Sequence, residues 1–264
     1  MTERSNRLHF AGTILALVGW GVGVVTFLVL LSQNRFEIGG DLAAYLRAGD
    51  SLVAGEPVYV GEIGEFDVFS YAPPWAVLFA ALSWVPDVLM QAGIMVLGLF
   101  CIRYTVGSWL WSGLLFYYPV AVMVLFAGNI EYLIAASIIL ATRGRAEPLT
   151  LMAMAKISPI LAVPPKLWRQ VVVTVAVALL VTLPWLHLWP EWVEYLLRQP
   201  ASIDIHIGPP RYLRLPIALA LLLVRRPWAP AVAVVVGMPS LWLGTLVILI
   251  APIRLWFDGQ RASG

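Results

Sequence analysis

Few side chains in this sequence can do chemistry, and they stand out because most of their neighbours are apolar. The first is an aspartate after two glycines, in Gly39-Gly40-Asp41-Leu42-Ala43-Ala44-Tyr45-Leu46-Arg47-Ala48-Gly49-Asp50. Leu42, Tyr45, Leu46, Gly49 and Leu52 share one face at helical spacing, so the stretch reads as a short amphipathic helix resting on a membrane, with Asp41 at its start. Two roles fit Asp41. As an N-cap, its carboxylate accepts a bond from a free backbone N–H of the first turn. As a general base at the membrane surface, it takes a proton from a hydroxyl. The two roles can coexist.

Lys156 lies inside an apolar run. A charge at the centre of a bilayer costs about 2.5–3.5 kcal/mol on insertion scales, so an intramembrane lysine is a candidate for meeting a phosphate at the end of a broken helix. The competing reading is a lysine that snorkels to a nearby headgroup, with Pro159 ending the helix close by. Asn129 and Glu131 follow Gly128, where Glu131 faces either a site or only a helix end. Arg211 and Arg214, three apart, share the side of a helix start and can hold phosphate oxygens, although arginine at a membrane boundary also serves as an anchor. His206 has no second ligand nearby and makes no metal site. In Phe69-Ser70-Tyr71-Ala72-Pro73-Pro74-Trp75, the prolines suit the first turn of a helix re-entering the bilayer, and Tyr71 can be an interfacial aromatic.

The elements that must position these groups are membrane helices. Of 264 residues 61% are hydrophobic and 12% charged, with a mean hydropathy of +0.86, against roughly 25% charged residues in soluble domains. The single Cys101 excludes disulfides and cysteine metal sites. The net charge of +2 is spread among hydrophobic segments as membrane-flanking anchors, which excludes a nucleic-acid surface. The apolar run after Arg4 and Arg7 continues to Leu31, too long for a signal-peptide core, and reads as a retained first span over Phe10 to Leu31.

Residues 33–73 hold seven of the fifteen acids (Glu37, Asp41, Asp50, Glu56, Glu62, Glu65, Asp67) and only Arg35 and Arg47 as bases. The positive-inside rule then puts the N-terminus in the cytoplasm and this loop outside. Further apolar runs cover Trp75 to Ile102, broken near Trp84 to Asp87; Trp109 to Phe126; Ile130 to Ala141; Leu149 to Val163; Val171 to Leu188; Arg211 to Val224; and Trp228 to Trp256, interrupted at Gly237-Met238-Pro239. Arg143 with Arg145, and Arg225 with Arg226, mark cytoplasmic turns. Trp189 to Arg198 sets Trp192, Tyr195 and Leu196 on one face and Glu191, Glu194 and Arg198 on the others, a helix lying in the interface. The expectation is an all-α, polytopic, multi-pass protein of the plasma membrane. It forms one domain over 1–264, with about eight to ten membrane segments, short juxtamembrane helices, an outside loop at 33–73 and an interfacial helix and loop at 189–210. No internal repeat is evident, which counts against two inverted halves.

The series Asp41, Tyr45, Ala48, Gly55, Tyr59, Tyr71-Ala72-Pro73-Pro74, then Gly128-Asn129 and Lys156-x-x-Pro159, resembles the GT-C glycosyltransferases that use polyprenyl-phosphate sugars. Within them it is most similar to glycosyltransferase family 87, the α-mannosyltransferase-like group, over roughly residues 10–170. Gly128-Asn129 stands where that family usually has Gly-Gln, and Glu147-Pro148 where it has a small Ala-Gly start. The resemblance implies a multi-helix GT-C fold and a hexosyltransferase of the cell envelope. Its donor is a polyprenyl-phosphate hexose (mannose for this group), its acceptor an extracytoplasmic glycolipid or glycan, and it needs no cofactor, metal or nucleic acid. Asp41 is then the base, Lys156, Arg211 and Arg214 the cations that meet the departing phosphate, and Tyr71, Asn129, Glu131 and His206 further substrate-side candidates. Other classes stay open: a transporter or translocase of lipid-linked sugars, and a non-catalytic membrane subunit.

Overall fold

The computed structural model describes residues 3–33, 39–61, 68–198, 207–208, 210–239 and 241–263. The described residues are helical throughout, with no strand among them. Helix α1 spans Glu3–Ser32, α2 Gly40–Ala54, α3 Pro73–Leu82 and α4 Asp87–Val106. Then come α5 Trp109–Ser112, α6 Pro119–Phe126, α7 Glu131–Thr142, α8 Glu147–Ala155 and α9 Trp168–Val181. The chain closes with α10 Leu188–Arg198, α11 Arg211–Leu222, α12 Ala229–Val236 and α13 Ile250–Ser263.

Three helices are long and apolar enough to cross a membrane: His9–Ser32, Asp87–Val106 and Leu243–Arg261, the last a 3-10 stretch running into α13. Residues Trp109–Tyr117 and Pro119–Phe126 make a fourth only if counted as one span bent by 107°. The expected eight to ten segments are therefore not found as full-length helices. Proline and glycine explain the shortfall, because a proline removes a backbone donor and clashes with the preceding turn. Pro119 starts α6, Pro159 and Pro164-Pro165 convert the chain after α8 into 3-10 turns, Pro184 ends the run expected over Val171 to Leu188, and Gly237 to Pro239 separate α12 from the last span. The break near Trp84 to Asp87 forms as read, between α3 and α4, and the helix expected at 189–198 forms as α10 with Tyr195 buried and Glu191, Glu194 and Arg198 exposed.

The long helices share a frame. His9 near the start of α1 meets Trp111 beyond the end of α4, with ring centroids 6.1 Å apart, while Phe27 near the end of α1 meets Phe126 at 5.4 Å. Gln91, in the second turn of α4, donates from Nε2 to the Phe126 carbonyl at 2.5 Å, so α1 and α4 run antiparallel. The last span points the same way as α4, since Arg254 Nη1 donates to the Val106 carbonyl at 2.8 Å. One end of the molecule thus collects Arg103, Arg143 and Arg254, and the other holds the starts of α2, α3 and α7. The outward faces of α1, α4 and α9 are apolar and exposed, as at Leu15, Val18, Leu28, Val96, Phe100, Val173 and Leu180. Contiguous apolar surface of that kind needs a nonaqueous neighbour.

Helix α2 packs on α3 so closely that a Cβ on Gly49 would lie 2.6 Å from the backbone of both Phe79 and Ala80. Gly49→Ala should therefore lower the thermal unfolding midpoint in detergent, in the range of about 1–3 kcal/mol typical of overpacking. Gly21→Ala, where nothing lies within 4 Å, should leave the midpoint unchanged or slightly raised. Equal midpoints for Gly49→Ala and the parent would mean that α2 slides freely on α3.

Candidate functional site

Asp41 is not the cap of α2. Gly39, left-handed at φ 72° and ψ 51°, occupies that position with no side-chain cap bond, and Asp41 falls inside the first turn. A glycine takes that backbone without strain, so the aspartate is released from capping. Its carboxylate is still favoured by the positive end of the helix. The break between α6 and α7 brings its partner: the Ala127 carbonyl accepts from the Leu42 N–H at 3.2 Å, and Gly128 turns the chain at φ 74°. Asn129, 6% exposed, then donates from Nδ2 to Asp41 Oδ2 at 2.8 Å.

Two residues later Glu131 opens α7, its side chain wholly buried, and Lys156 Nζ donates to its Oε1 at 2.5 Å. Lys156 reaches inward because α8 ends at Ala155, leaving the lysine extended at φ −136° and ψ 107° ahead of Pro159. Snorkelling to a headgroup is excluded in this arrangement, since the lysine side chain is 15% exposed and its ammonium is bonded to a buried carboxylate. A buried pair of this kind offsets a large desolvation penalty for each ion, and removing one partner strands the other.

The re-entry into α3 is lashed to the same place. Ala72 N–H donates to the Met154 carbonyl at 2.9 Å, and Trp75 Nε1 to Leu151 at 3.1 Å. From outside, Tyr59 hydroxyl holds the Tyr71 carbonyl at 3.0 Å and Trp192 Nε1 of α10 holds Ser70 at 2.9 Å. Tyr71 is consequently a buried residue and not an interfacial one; its hydroxyl pairs with that of Tyr45 at 2.9 Å. Burial pushes both phenols well above their usual range, and the carboxylates of Asp41 and Glu131 push them further, while Lys156 draws Tyr71 back down. The phenols stay protonated and act as hydrogen-bond donors or acceptors only.

The structure therefore gathers Asp41, Tyr71, Asn129 with Glu131, and Lys156 from four separate stretches of chain. Arg214 is bonded at a different break. Arg214, 2% exposed, donates from Nη1 to the Met238 carbonyl at 2.9 Å and from Nη2 to Pro239 at 3.2 Å, tying α11 to the break after α12. Arg211 is the first residue of α11 with its side chain outside the described residues, and His206 lies outside them altogether. Sequence reasoning missed Gln91 and the hydroxyl of Tyr45. A lone glutamine in the apolar start of α4 was the available signal for the first. Among the described residues no group of three or more His, Cys, Asp or Glu side chains could hold a metal ion.

Three buried polar atoms crowd this region without a hydrogen-bond partner among the described residues: Glu131 Oε2, Asn129 Oδ1 and Ser158 Oγ. Such atoms are rare in folded chains, and each marks a place where a donor or a ligand is owed an explanation. Lys156→Met should destabilise the protein by about 3–5 kcal/mol, because it leaves the Glu131 carboxylate buried and uncompensated. The double change Glu131→Gln with Lys156→Met should recover most of that loss. A double-mutant cycle on detergent unfolding reads the difference, and additive single effects would show that the two side chains do not act as a pair.

No family model matches this chain, and neither a curated protein nor a solved structure matches it.

Proposed function

We propose that this chain is a multi-pass glycosyltransferase of the plasma membrane that transfers a hexose, mannose in the first instance, from a polyprenyl phosphate to an extracytoplasmic glycolipid or glycan. The observation that carries the proposal is a carboxylate, Asp41, fixed by Asn129 beside a buried ammonium and several unpartnered acceptors. Asp41 accepts the proton of the acceptor hydroxyl as that oxygen bonds to the anomeric carbon. The bond from that carbon to the phosphate oxygen breaks, and its electron pair leaves with the polyprenyl phosphate. A single displacement inverts the anomeric carbon. Lys156 keeps two N–H donors besides the one given to Glu131, and these can meet the phosphate oxygens as negative charge builds on them.

The shared frame of the three long helices supports the orientation. Arginines gather at the end where α4 stops, and by the positive-inside rule that end is cytoplasmic, leaving Asp41 on the outer side with the N-terminus within. A second reading, a translocase of lipid-linked sugars, draws on one feature: an ion pair in apolar surroundings at the break after α8 is what a coupled transport path uses.

Incubation of purified protein with polyprenyl-phosphate mannose and glycolipid acceptors tests both. The parent should transfer mannose, and Asp41→Asn should lower turnover by about 10²–10⁴-fold with its unfolding midpoint unchanged. Equal turnover in the two would remove Asp41 as the base. Passage of the lipid-linked sugar across liposomes without transfer would replace the enzyme by the translocase.

A further inference from the structure

The cytoplasm-facing end carries a second charged arrangement unrelated to the Asp41 cluster. Gln170, near the start of α9, clamps the turn after α7: Ala146 N–H donates to its Oε1 at 2.7 Å, and its Nε2 donates to the Gly144 carbonyl at 2.9 Å. Gly144 makes the turn possible at φ 94°, a backbone that other residues adopt only with strain. Two pieces of chain with their own basic residues are thereby held edge to edge. The turn supplies Arg143 and Arg145, the 3-10 turn Pro165–Leu167 supplies Lys166, and the start of α9 supplies Arg169, all four exposed. Lys166 and Arg169 are three apart where that 3-10 turn runs into α9, and side chains at this spacing in a 3-10 turn lie on the same side.

These cations have little to neutralise them. Arg254, another base at this end, is held by Asp258 at 2.8 Å and by the Val106 carbonyl. Among the described residues none of the four forms an ion pair, and Glu147 is the exposed acid beside them. Arg143 also lies over the ring of Tyr104, 4.9 Å from its centre, which fixes its direction. Directly below the cations α9 shows an exposed apolar strip, Val172, Val173, Val177 and Leu180, and the indole of Trp168 is 47% exposed at the level of the charges. Charge above, indole at the boundary and an apolar strip beneath match an amphiphile with an anionic head and an acyl chain. A nucleic acid or an acidic peptide would leave the strip uncovered.

We propose that Arg145, Lys166 and Arg169, with Arg143 behind them, form a docking site for the phosphate headgroup of an anionic phospholipid whose acyl chain lies along α9. The proposal rests on the reading of this chain as a membrane protein but is independent of its catalytic role. The phosphate oxygens take charge-assisted hydrogen bonds from the guanidinium and ammonium groups, and the rigid Gln170 clamp spares the site the ordering of a loose loop.

The test is reconstitution of the full chain in nanodiscs of phosphatidylcholine containing a minor share of phosphatidylglycerol, followed by native mass spectrometry of the lipid retained. Phosphatidylglycerol should be enriched over its share on the order of tenfold, given the attraction of each basic residue for an anionic surface. The triple change Arg145→Gln, Lys166→Gln, Arg169→Gln should abolish that enrichment, while Arg145→Lys with Arg169→Lys, which keeps the charges and guards against misfolding as the cause, should retain it. No enrichment in the parent, or undiminished enrichment in the triple variant, overturns the proposal. So does displacement of phosphatidylglycerol by an equal amount of polyprenyl phosphate, which would assign the site to the lipid carrier. Failure of the parent to enter nanodiscs at all would overturn the membrane reading itself, a result separate from any lipid preference.

Discussion

The amide of Asn129 reaches the carboxylate of Asp41 across 88 positions because the chain breaks at Ala127-Gly128 and the break is docked on the start of α2. In an apolar interior every freed backbone group must find a partner, so a broken helix is stable only where something receives its last carbonyls. Here the Leu42 N–H donates to the Ala127 carbonyl and the Gln91 amide donates to that of Phe126. The same contacts that satisfy the end of α6 aim the Asn129 side chain. The break is therefore also the device that assembles the cluster, and loosening one loosens the other.

A second break repeats this economy. Helix α8 stops at Ala155, the Met152 carbonyl accepts from the Lys156 N–H at 2.8 Å, and the Met154 carbonyl accepts from Ala72. The lysine that follows is turned inward to Glu131 while the segment carrying Tyr71 is pinned beside it. Had α8 continued, helical geometry would have carried Lys156 on along the helix surface, away from this extended inward course.

Local features of this kind were legible in the sequence. Pro73-Pro74 marks the start of α3, the spacing of Leu42, Tyr45, Gly49 and Leu52 marks the buried face of α2, and Pro159 marks the end of α8. Asp41 failed as a cap because Gly39 tolerates a left-handed backbone that lets a glycine do the capping, a competition that composition does not rank. The number of full-length spans was misjudged for a related reason: hydropathy counts apolar residues but is blind to where a proline or glycine shortens the helix they form. Arg214 reads as half of an arginine pair because Arg211 is three positions away, yet two of its N–H groups donate to carbonyls of the Gly237 to Pro239 break, 24 and 25 residues ahead. Pairings between breaks leave no periodic trace, so the sequence could nominate Asp41, Asn129, Glu131, Lys156 and Tyr71 one by one but not show that they meet.

The charges in the cluster also constrain what it can bind. The cluster sets the carboxylates of Asp41 and Glu131 beside the ammonium of Lys156, so in the proposed reaction a phosphate would approach carboxylates as well as a cation. Affinity for the proposed lipid-linked donor would draw on directed N–H donors at short range, which are worth more in a site shielded from water, and on the apolar burial of a long lipid tail. A neutral hydroxyl can give its proton to a carboxylate and take a hydrogen bond from an ammonium or a phenol, and Glu131 Oε2, Asn129 Oδ1 and the Tyr45–Tyr71 pair lie around the same cluster. In the proposed reaction these fixed groups would orient the acceptor hydroxyl and take its proton. In that reaction the N–H donors that Lys156 does not give to Glu131 would meet the phosphate as its bond to the sugar breaks and negative charge builds on its oxygens.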